Sequence, residues 1–440
     1  MSSRRVVITG LGIINALALD KDQYFQALLS GEIGIERIKS FKPDGFPSQV
    51  AGEAPEFKIA KIVPKAQRKA TKLMSRDIEL AVAAADTAIR DAGLKTRGTN
   101  PDGPVEINPT RSGVHIGAGL ICCDLSELAA AAEYAVEDGT FSLPKWGNEG
   151  MNWLTPLWLL KYLPNMLSCH ISIIHDLQGP SNSITCGEAS GMLSITEAYL
   201  TILHDKADVI IAGGAESKVN GMGILRQCLI NRASTHYNDK PKQASRPFDR
   251  DADGMVIGEG AGIVILEEMD NAQQRGAEIY AELTGWGASY NFSKDFVEPE
   301  ESAQGIILAV QQALERAAIT PDQIDLIIPA GIAVPSHDSA EARALNAVFG
   351  EHLKNIPILA TKSRFGHCGA GAGAIDLVTA VLSLYNEIIP PNVNCSNQPA
   401  EYGMYLPHTE PLEKEIKHVM CCCDTTGGQT AALVISKFKE

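Results

Sequence analysis

The residue in this chain best placed to do chemistry is a carboxylate. In the run Ser183-Ile184-Thr185-Cys186-Gly187-Glu188-Ala189-Ser190-Gly191, a buried strand turns sharply into a small-residue helix that continues through Met192, Ile195 and Ala198, with Glu188 at the turn. A side chain there lies over the first free N–H groups of the helix, where an anion is stabilised and a developing oxyanion can be held. Some enzymes use such a strand-turn-helix junction to lift a Ser or Cys nucleophile above a sheet. Glutamate is a poor acceptor for an acyl group arriving as a thioester, a task suited to a thiolate. With its pKa raised by burial, it could instead poise a water as a general base.

Neighbouring groups offer little rescue. Cys186 precedes Glu188 by two residues and should share its strand face ~7 Å back along the chain. Cys368 directly follows His367, and both cysteines read as packed thiols, while His337 reads as a loop or helix-cap residue. Ten cysteines, three consecutive at Cys421-Cys422-Cys423, show neither paired CxxC spacing nor a His/Cys ligand series. That pattern suits a reducing compartment and indicates no metal site. Gly10 and Gly12 do not complete a dinucleotide fingerprint, so no cofactor is expected. Gly427-Gly428 and Gly258-Glu259-Gly260 read as tight turns at strand entries, and Glu259 with Arg246 as a candidate ion pair inside the scaffold.

These residues need a large scaffold. With 440 residues and 45% hydrophobic content, the chain is long enough for two closely packed halves. The sequence repeats one plan: Thr9-Gly10-Leu11-Gly12 is matched by Thr284-Gly285-Trp286-Gly287, and the helix tail Ala84 to Leu94 by Ala309 to Ile319. Turns into glycine/alanine-rich helices follow at 185–191 and 361–374, and closing strands at 260–266 and 430–435. Apolar strands between amphipathic helices predict an α/β fold made twice, with residues 1–266 and 267–440 as its halves. No tract approaches a membrane span, and the start enters a strand too quickly for a signal peptide, which points to the cytoplasm. A net charge of -15 argues against nucleic acid. The exception is a run from Lys58 to Arg76 with seven cations and no acid, either a solvated face or a dock for an acidic macromolecule or phosphate. Between Leu120 and Gln178, Trp153, Leu154, Leu157, Trp158 and Tyr162 suggest either helical core or the lining of an apolar tunnel or partner interface.

Several ordered motifs carry a resemblance over nearly the whole chain. They are Gly179-Pro180, Ala212-Gly213-Gly214-Ala215-Glu216, Ser245-Arg246-Pro247-Phe248-Asp249, Asp253-Gly254, Gly258 to Gly262, Thr361-Lys362-Ser363, Gly366-His367 and the run Gly369 to Ala374. The chain resembles the β-ketoacyl synthase family of the thiolase fold, and within it the chain-length-factor branch. The resemblance implies a thiolase-like fold with duplicated halves, buried mixed sheets and helical layers. By the same resemblance the family's nucleophilic Cys falls on Glu188 and its first active-site His on Ala330. The second His is kept as His367 and the nearby Lys as Lys362, while the phenylalanine-containing gating loop is represented by Asp424-Thr425-Thr426-Gly427-Gly428.

The branch resemblance implies a non-catalytic subunit that pairs with an active ketosynthase, meets acyl carrier protein through that complex and helps shape a tunnel for the growing polyketide chain. An alternative is an autonomous malonyl-thioester decarboxylase using His367, or another thioester-processing enzyme; a third is a purely structural pseudoenzyme. Ala330 has no side-chain donor, and losing one oxyanion donor typically costs ~3 kcal/mol, which disfavours independent decarboxylation.

Overall fold

Two strands with the same sequence plan open the two halves of the molecule. The computed structural model describes residues 4–291, 296–407 and 409–439. Strand β1 (Val6–Ile14) begins the first half, followed by β2 (Ser112–Ala118), β3 (Ser181–Ile184), β4 (Val209–Ser217) and β5 (Glu259–Glu268). The second half supplies β6 (Ala281–Tyr290), β7 (Leu326–Ile328), β8 (His418–Asp424) and β9 (Gln429–Ser436). All nine join in one mixed sheet of order β7-β8-β9-β6-β1-β5-β4-β2-β3. Short antiparallel pairing of Val7 with Glu282 and Ile8 with Ala281 connects the halves.

The repeat extends to its irregularities. β1 shifts register against β5 between Ile8 and Gly10, and β6 shifts against β9 between Leu283 and Gly285. Each shift falls at the Thr-Gly step of the repeated tetrapeptide. The glycines then admit a helix backbone at close range. A Cβ at Gly12 would lie 2.0 Å from the Ala84 carbonyl oxygen in helix α1 (Arg76–Asp91). One at Gly287 would lie 1.8 Å from the Ala309 oxygen in helix α4 (Gln304–Ala317).

Strand alternation divides the core into layers. Ile210, Ala212, Leu433 and Ile435 turn inward onto α2 (Ser190–Leu203) and α6 (Ala372–Asn386). Val209, Ile211, Ile263 and Ile265 pack outward on α1, and Met420, Ala432 and Val434 on α4 and α5 (Pro335–Phe349). Thus α2 and α6 form a middle layer enclosed by sheet and outer helices, the duplicated thiolase-like α/β architecture.

One local expectation fails. β3 is partly exposed rather than buried, because it lies at the sheet edge and pairs only with β2. Its exposed polar residues Ser181 and Asn182 suit that place, while the Ser183 hydroxyl pairs with that of Ser168 at 2.7 Å.

The close strand-helix approach gives a direct test. Gly12→Ala and Gly287→Ala should each destabilise the protein by ~1–3 kcal/mol, since only backbone can yield to the added methyl. Denaturant unfolding of each variant measures the loss.

Candidate active site

The site forms where α2 and α6 begin. Glu188 occupies a one-turn 3-10 segment, Gly187–Ala189, immediately before α2. Gly187 permits the turn, with φ +56° and no room for a Cβ beside the Thr425 hydroxyl. Ser190 ties it down: its hydroxyl accepts the Cys186 N–H at 2.8 Å and donates to the Gly187 carbonyl at 2.6 Å.

Glu188 is only 3% exposed. Its carboxylate does not cap the backbone N–H groups of α2 but turns to side chains. Oε1 meets Arg232 Nη1 at 3.1 Å and Lys218 Nζ at 3.7 Å, and Oε2 accepts the Thr425 hydroxyl. Burial opposes the charge, yet Lys218 and Arg232 hold the carboxyl well below the usual carboxylate range. This is the reverse of a raised general base. Its stabilising effect is fully present above an unfolded pKa of ~4.3 and is lost as pH falls through the lower folded value.

His367 lies close enough to act on Glu188 electrostatically, but burial, with help from Lys218, Lys362 and Arg232, drives its pKa well below the usual histidine value against the pull of Glu188. It is therefore neutral at neutral pH. Its Nδ1 accepts the Gly369 N–H at 3.1 Å, which puts the proton on Nε2. The backbone of His367 is fixed as well: its N–H donates to the Val256 carbonyl at 2.8 Å, and its carbonyl accepts the Gly258 N–H at 3.0 Å.

Lys362 does not reach the Glu188 carboxylate. Its ammonium is buried against Asp376 and the Pro329 carbonyl, the latter at 3.1 Å. Ala330 is buried at the start of a loop pinned by two acids of α5. Glu341 accepts the N–H groups of Ala330 at 2.7 Å and Gly331 at 2.9 Å, while Asp338 accepts those of Ile332 and Ala333.

Just after β8, Thr425 reaches Glu188, while Asp424, the last residue of β8, turns to His337, whose Nδ1 lies 3.2 Å from Asp424 Oδ2. His337 Nε2 faces the Val297 carbonyl at 3.0 Å. Both nitrogens face acceptors, so the ring is satisfied as an imidazolium. Burial lowers its pKa, but the Asp424 hydrogen bond and charge raise it beyond its ordinary value. His337 is thus a buried link to the loop rather than a simple cap. Thr426 lines the small cavity beside this link with Val297 and Asp424.

The aromatic group from 153 to 162 does not converge on Glu188. Trp153 is exposed and stacks on Tyr134 with ring centroids 4.1 Å apart; Leu157 is also exposed. Leu154 and Trp158 are half-buried, with the Trp158 ring 5.1 Å from Tyr162. Tyr162 donates to Glu127 at 2.7 Å and borders a broad cleft shared with Lys58, Lys61 and Arg76. The expected Glu259–Arg246 pairing is replaced by Glu259–Arg76 at 2.6 Å and Arg246–Asp249 at 3.1 Å, because each basic group finds a nearer acid.

Sequence reasoning missed Lys218 and Arg232. Lys218 follows the recognised Ala212 to Glu216 strand end by two residues, a signal available in hindsight; Arg232, just past helix α3 (Gly221–Leu229), lies in no quoted motif.

The His337–Asp424 link predicts a pH dependence. Its stabilising contribution is fully present below ~6.5 and is lost as pH rises through the higher folded pKa of His337. The stability difference between the wild type and His337→Gln, measured by denaturant unfolding, should therefore be widest at or below pH ~6 and narrow as pH rises.

Comparison with known proteins places this geometry in a family. Residues 3–272 match the Beta-ketoacyl synthase, N-terminal domain, and residues 280–396 the corresponding C-terminal domain. A Coxiella burnetii protein named 3-oxoacyl-[acyl-carrier-protein] synthase 2 is 33% identical over 437 residues, covering 99% of each chain. A solved β-ketoacyl synthase from Burkholderia phymatum has a TM-score of 0.86 at 28% identity, covering 99% of this chain and 100% of its own. The solved ishigamide ketosynthase/chain length factor has a TM-score of 0.83 at 25% identity, with both chains fully covered. Full-length relatives with higher identity are named as synthases, which overturns the expectation of a non-catalytic chain-length factor. A dedicated pairing with a separate active ketosynthase loses its support with it. The chain belongs to the β-ketoacyl synthase family.

Proposed function

We propose that this chain acts on acyl-carrier-protein thioesters as a ketosynthase of the 3-oxoacyl-[acyl-carrier-protein] synthase type. The observation that carries the reading is His367, a buried neutral imidazole whose tautomer is fixed by Gly369 so that Nε2 presents a proton. Such a donor serves the carbanion-forming half of condensation. The Cα–carboxylate bond of a malonyl thioester breaks and carbon dioxide leaves. The released electron pair forms the enolate, with negative charge on the thioester oxygen, and hydrogen bonding by Nε2–H stabilises that oxygen. Lys362, paired with Asp376 and the Pro329 carbonyl, positions the adjoining backbone.

The acyl-loading half differs from that of a cysteine enzyme: with no acyl adduct on the protein, the enolate carbon attacks the carrier-bound acyl thioester directly, a C–C bond forming as the acyl C–S bond breaks and the carrier thiol leaves. Both Glu188 oxygens are engaged, and its depressed pKa marks a weak nucleophile. Incubation with acyl and malonyl carrier-protein thioesters, followed by carbon dioxide release and product mass, tests the reading. Carbon dioxide and a 3-oxoacyl product should form, with the rate falling ~10²–10³-fold in His367→Ala. Absence of both from the folded wild type would overturn the proposal. No acyl adduct should form on Glu188, whereas Glu188→Cys should gain one by intact mass.

Carrier recognition falls to the basic run. Lys58, Lys61, Lys65, Arg68, Lys69 and Lys72 are exposed, while Arg76 turns toward Glu259. Because acyl carrier proteins are acidic, these six cations offer a complementary field on an otherwise acidic protein. Reversing charge at Lys65, Arg68 and Lys69 together should raise KM for the carrier-bound substrate, most strongly at low salt. The rate with a short pantetheine thioester should be unaffected. Equal effects on both substrates would place docking elsewhere.

A further inference from the structure

Arg232 is a large buried cation with more hydrogen-bonding capacity than its surroundings use. Its side chain is 2% exposed, and Nη1 is engaged by Glu188 at 3.1 Å. Nε and Nη2 are buried and, among the described residues, have no hydrogen-bond partner. These two nitrogens form one edge of the guanidinium fork, the edge suited to an oxygen anion. A buried, unfilled donor pair is costly unless something occupies it.

Its placement points to the occupant. The extended segment Met255–Ile257 runs between Arg232 and His367. The Met255 N–H donates to the Arg232 carbonyl at 2.7 Å, and the His367 N–H donates to the Val256 carbonyl at 2.8 Å. Ala330 packs in the same apolar cluster as Met255 and Ile257. Thus the backbones of Arg232 and His367 pair with one short segment, their side chains both act on Glu188, and the segment packs beside the position where the resemblance puts the family's first histidine on a residue with no donor.

We propose that Arg232 is a second electrophilic donor of this site, its Nε and Nη2 edge binding the substrate thioester oxygen as that oxygen becomes the enolate, together with His367 Nε2. This rests on the ketosynthase reading above and deepens it. As the carboxylate leaves as carbon dioxide, the negative charge passes to the thioester oxygen, where two N–H groups of Arg232 and one of His367 receive it. The enolate carbon then attacks the carbonyl of a carrier-bound acyl thioester, a C–C bond forming as the C–S bond breaks and the carrier thiolate leaves with a proton, or the enolate takes a proton at Cα. No oxidant or reductant is required. Glu188 acts as a positioning residue, holding the opposite end of the guanidinium.

The test must separate donation from charge compensation, since Arg232 also neutralises Glu188. Glu188→Gln is compared with the double variant Glu188→Gln, Arg232→Gln, in which the pair is neutral on both sides. Each is assayed for decarboxylation of malonyl carrier protein. Each is also tested for binding of carrier protein bearing a nitroacetyl thioester, whose ionised form is a planar oxyanion. The double variant should lose ~10²–10³-fold in kcat relative to Glu188→Gln, with KM little changed, and bind the analogue at least ~10-fold more weakly. Arg232→Lys keeps the cation but lacks the fork; it should show a similar kcat loss and serves if the double variant does not fold. Equal kcat and analogue binding in Glu188→Gln and the double variant would overturn the assignment. So would a raised KM with kcat retained, which would make Arg232 a ground-state carboxylate binder. A wild type that binds the analogue through Arg232 but neither releases carbon dioxide nor condenses would overturn the ketosynthase reading and leave the donor assignment standing.

Discussion

A carboxylate buried at the junction of two halves cannot stay ionised without countercharge, and that requirement organises the centre of this molecule. Glu188 draws its cations from Lys218, just beyond β4, and Arg232, in the loop approaching Met255, and its hydroxyl donor from Thr425 in the second half. Cys423 adds a further tie, donating to the Glu188 carbonyl at 3.2 Å. Removing one member of a buried pair commonly costs ~3–5 kcal/mol because the other charge remains stranded. The ion pairs therefore fix the turn before α2 against Lys218 and the loop carrying Arg232, and the Thr425 and Cys423 contacts fix it against β8 and the loop after it.

The same network reaches His367 through a second acid. Lys218 lies 3.8 Å from Glu216, and Glu216 accepts the Ala370 N–H at 2.6 Å. The adjacent Gly369 has φ +55°, and a Cβ there would lie 1.9 Å from Glu216 Oε2. Because the Gly369 N–H holds His367 Nδ1, the glycine that lets Glu216 approach also helps set the histidine tautomer. Charge balance at Glu188 and proton placement at His367 are therefore parts of one packed arrangement.

Much of this scaffold was legible in the sequence because repeated backbone constraints repeat their residues. The Thr-Gly steps at 9–10 and 284–285 mark register shifts, while Gly12 and Gly287 mark close helix approach. Glu188, His367 and Ala330 could be located from ordered motifs. Their electrostatics could not, since Arg232 and Lys218 meet Glu188 only through folding. The aromatic run from 153 to 162 could not be placed for a related reason: composition does not distinguish an exposed residue such as Trp153 from a core or cavity lining. The resemblance put the family's cysteine on Glu188 and its first histidine on Ala330, which invited the expectation that catalysis was lost; the full-length relatives named as synthases overturn that expectation.

The loop carrying Ala330 shows how a backbone frame can be held without any polar side chain at that position. Glu341 and Asp338 together hold four successive N–H groups, from Ala330 to Ala333, and Lys362 holds the preceding Pro329 carbonyl. Burial drives the carboxyls of Asp338 and Glu341 upward in pKa, a cost sustained by the surrounding fold. The backbone is thus fixed independently of the side chain at position 330. Ala330 instead joins an apolar cluster with Met255 and Ile257, immediately beside the backbone that pairs with Arg232 and His367. A rigid loop with a small side chain leaves the local frame intact and changes only which group can supply a proton or positive charge within it.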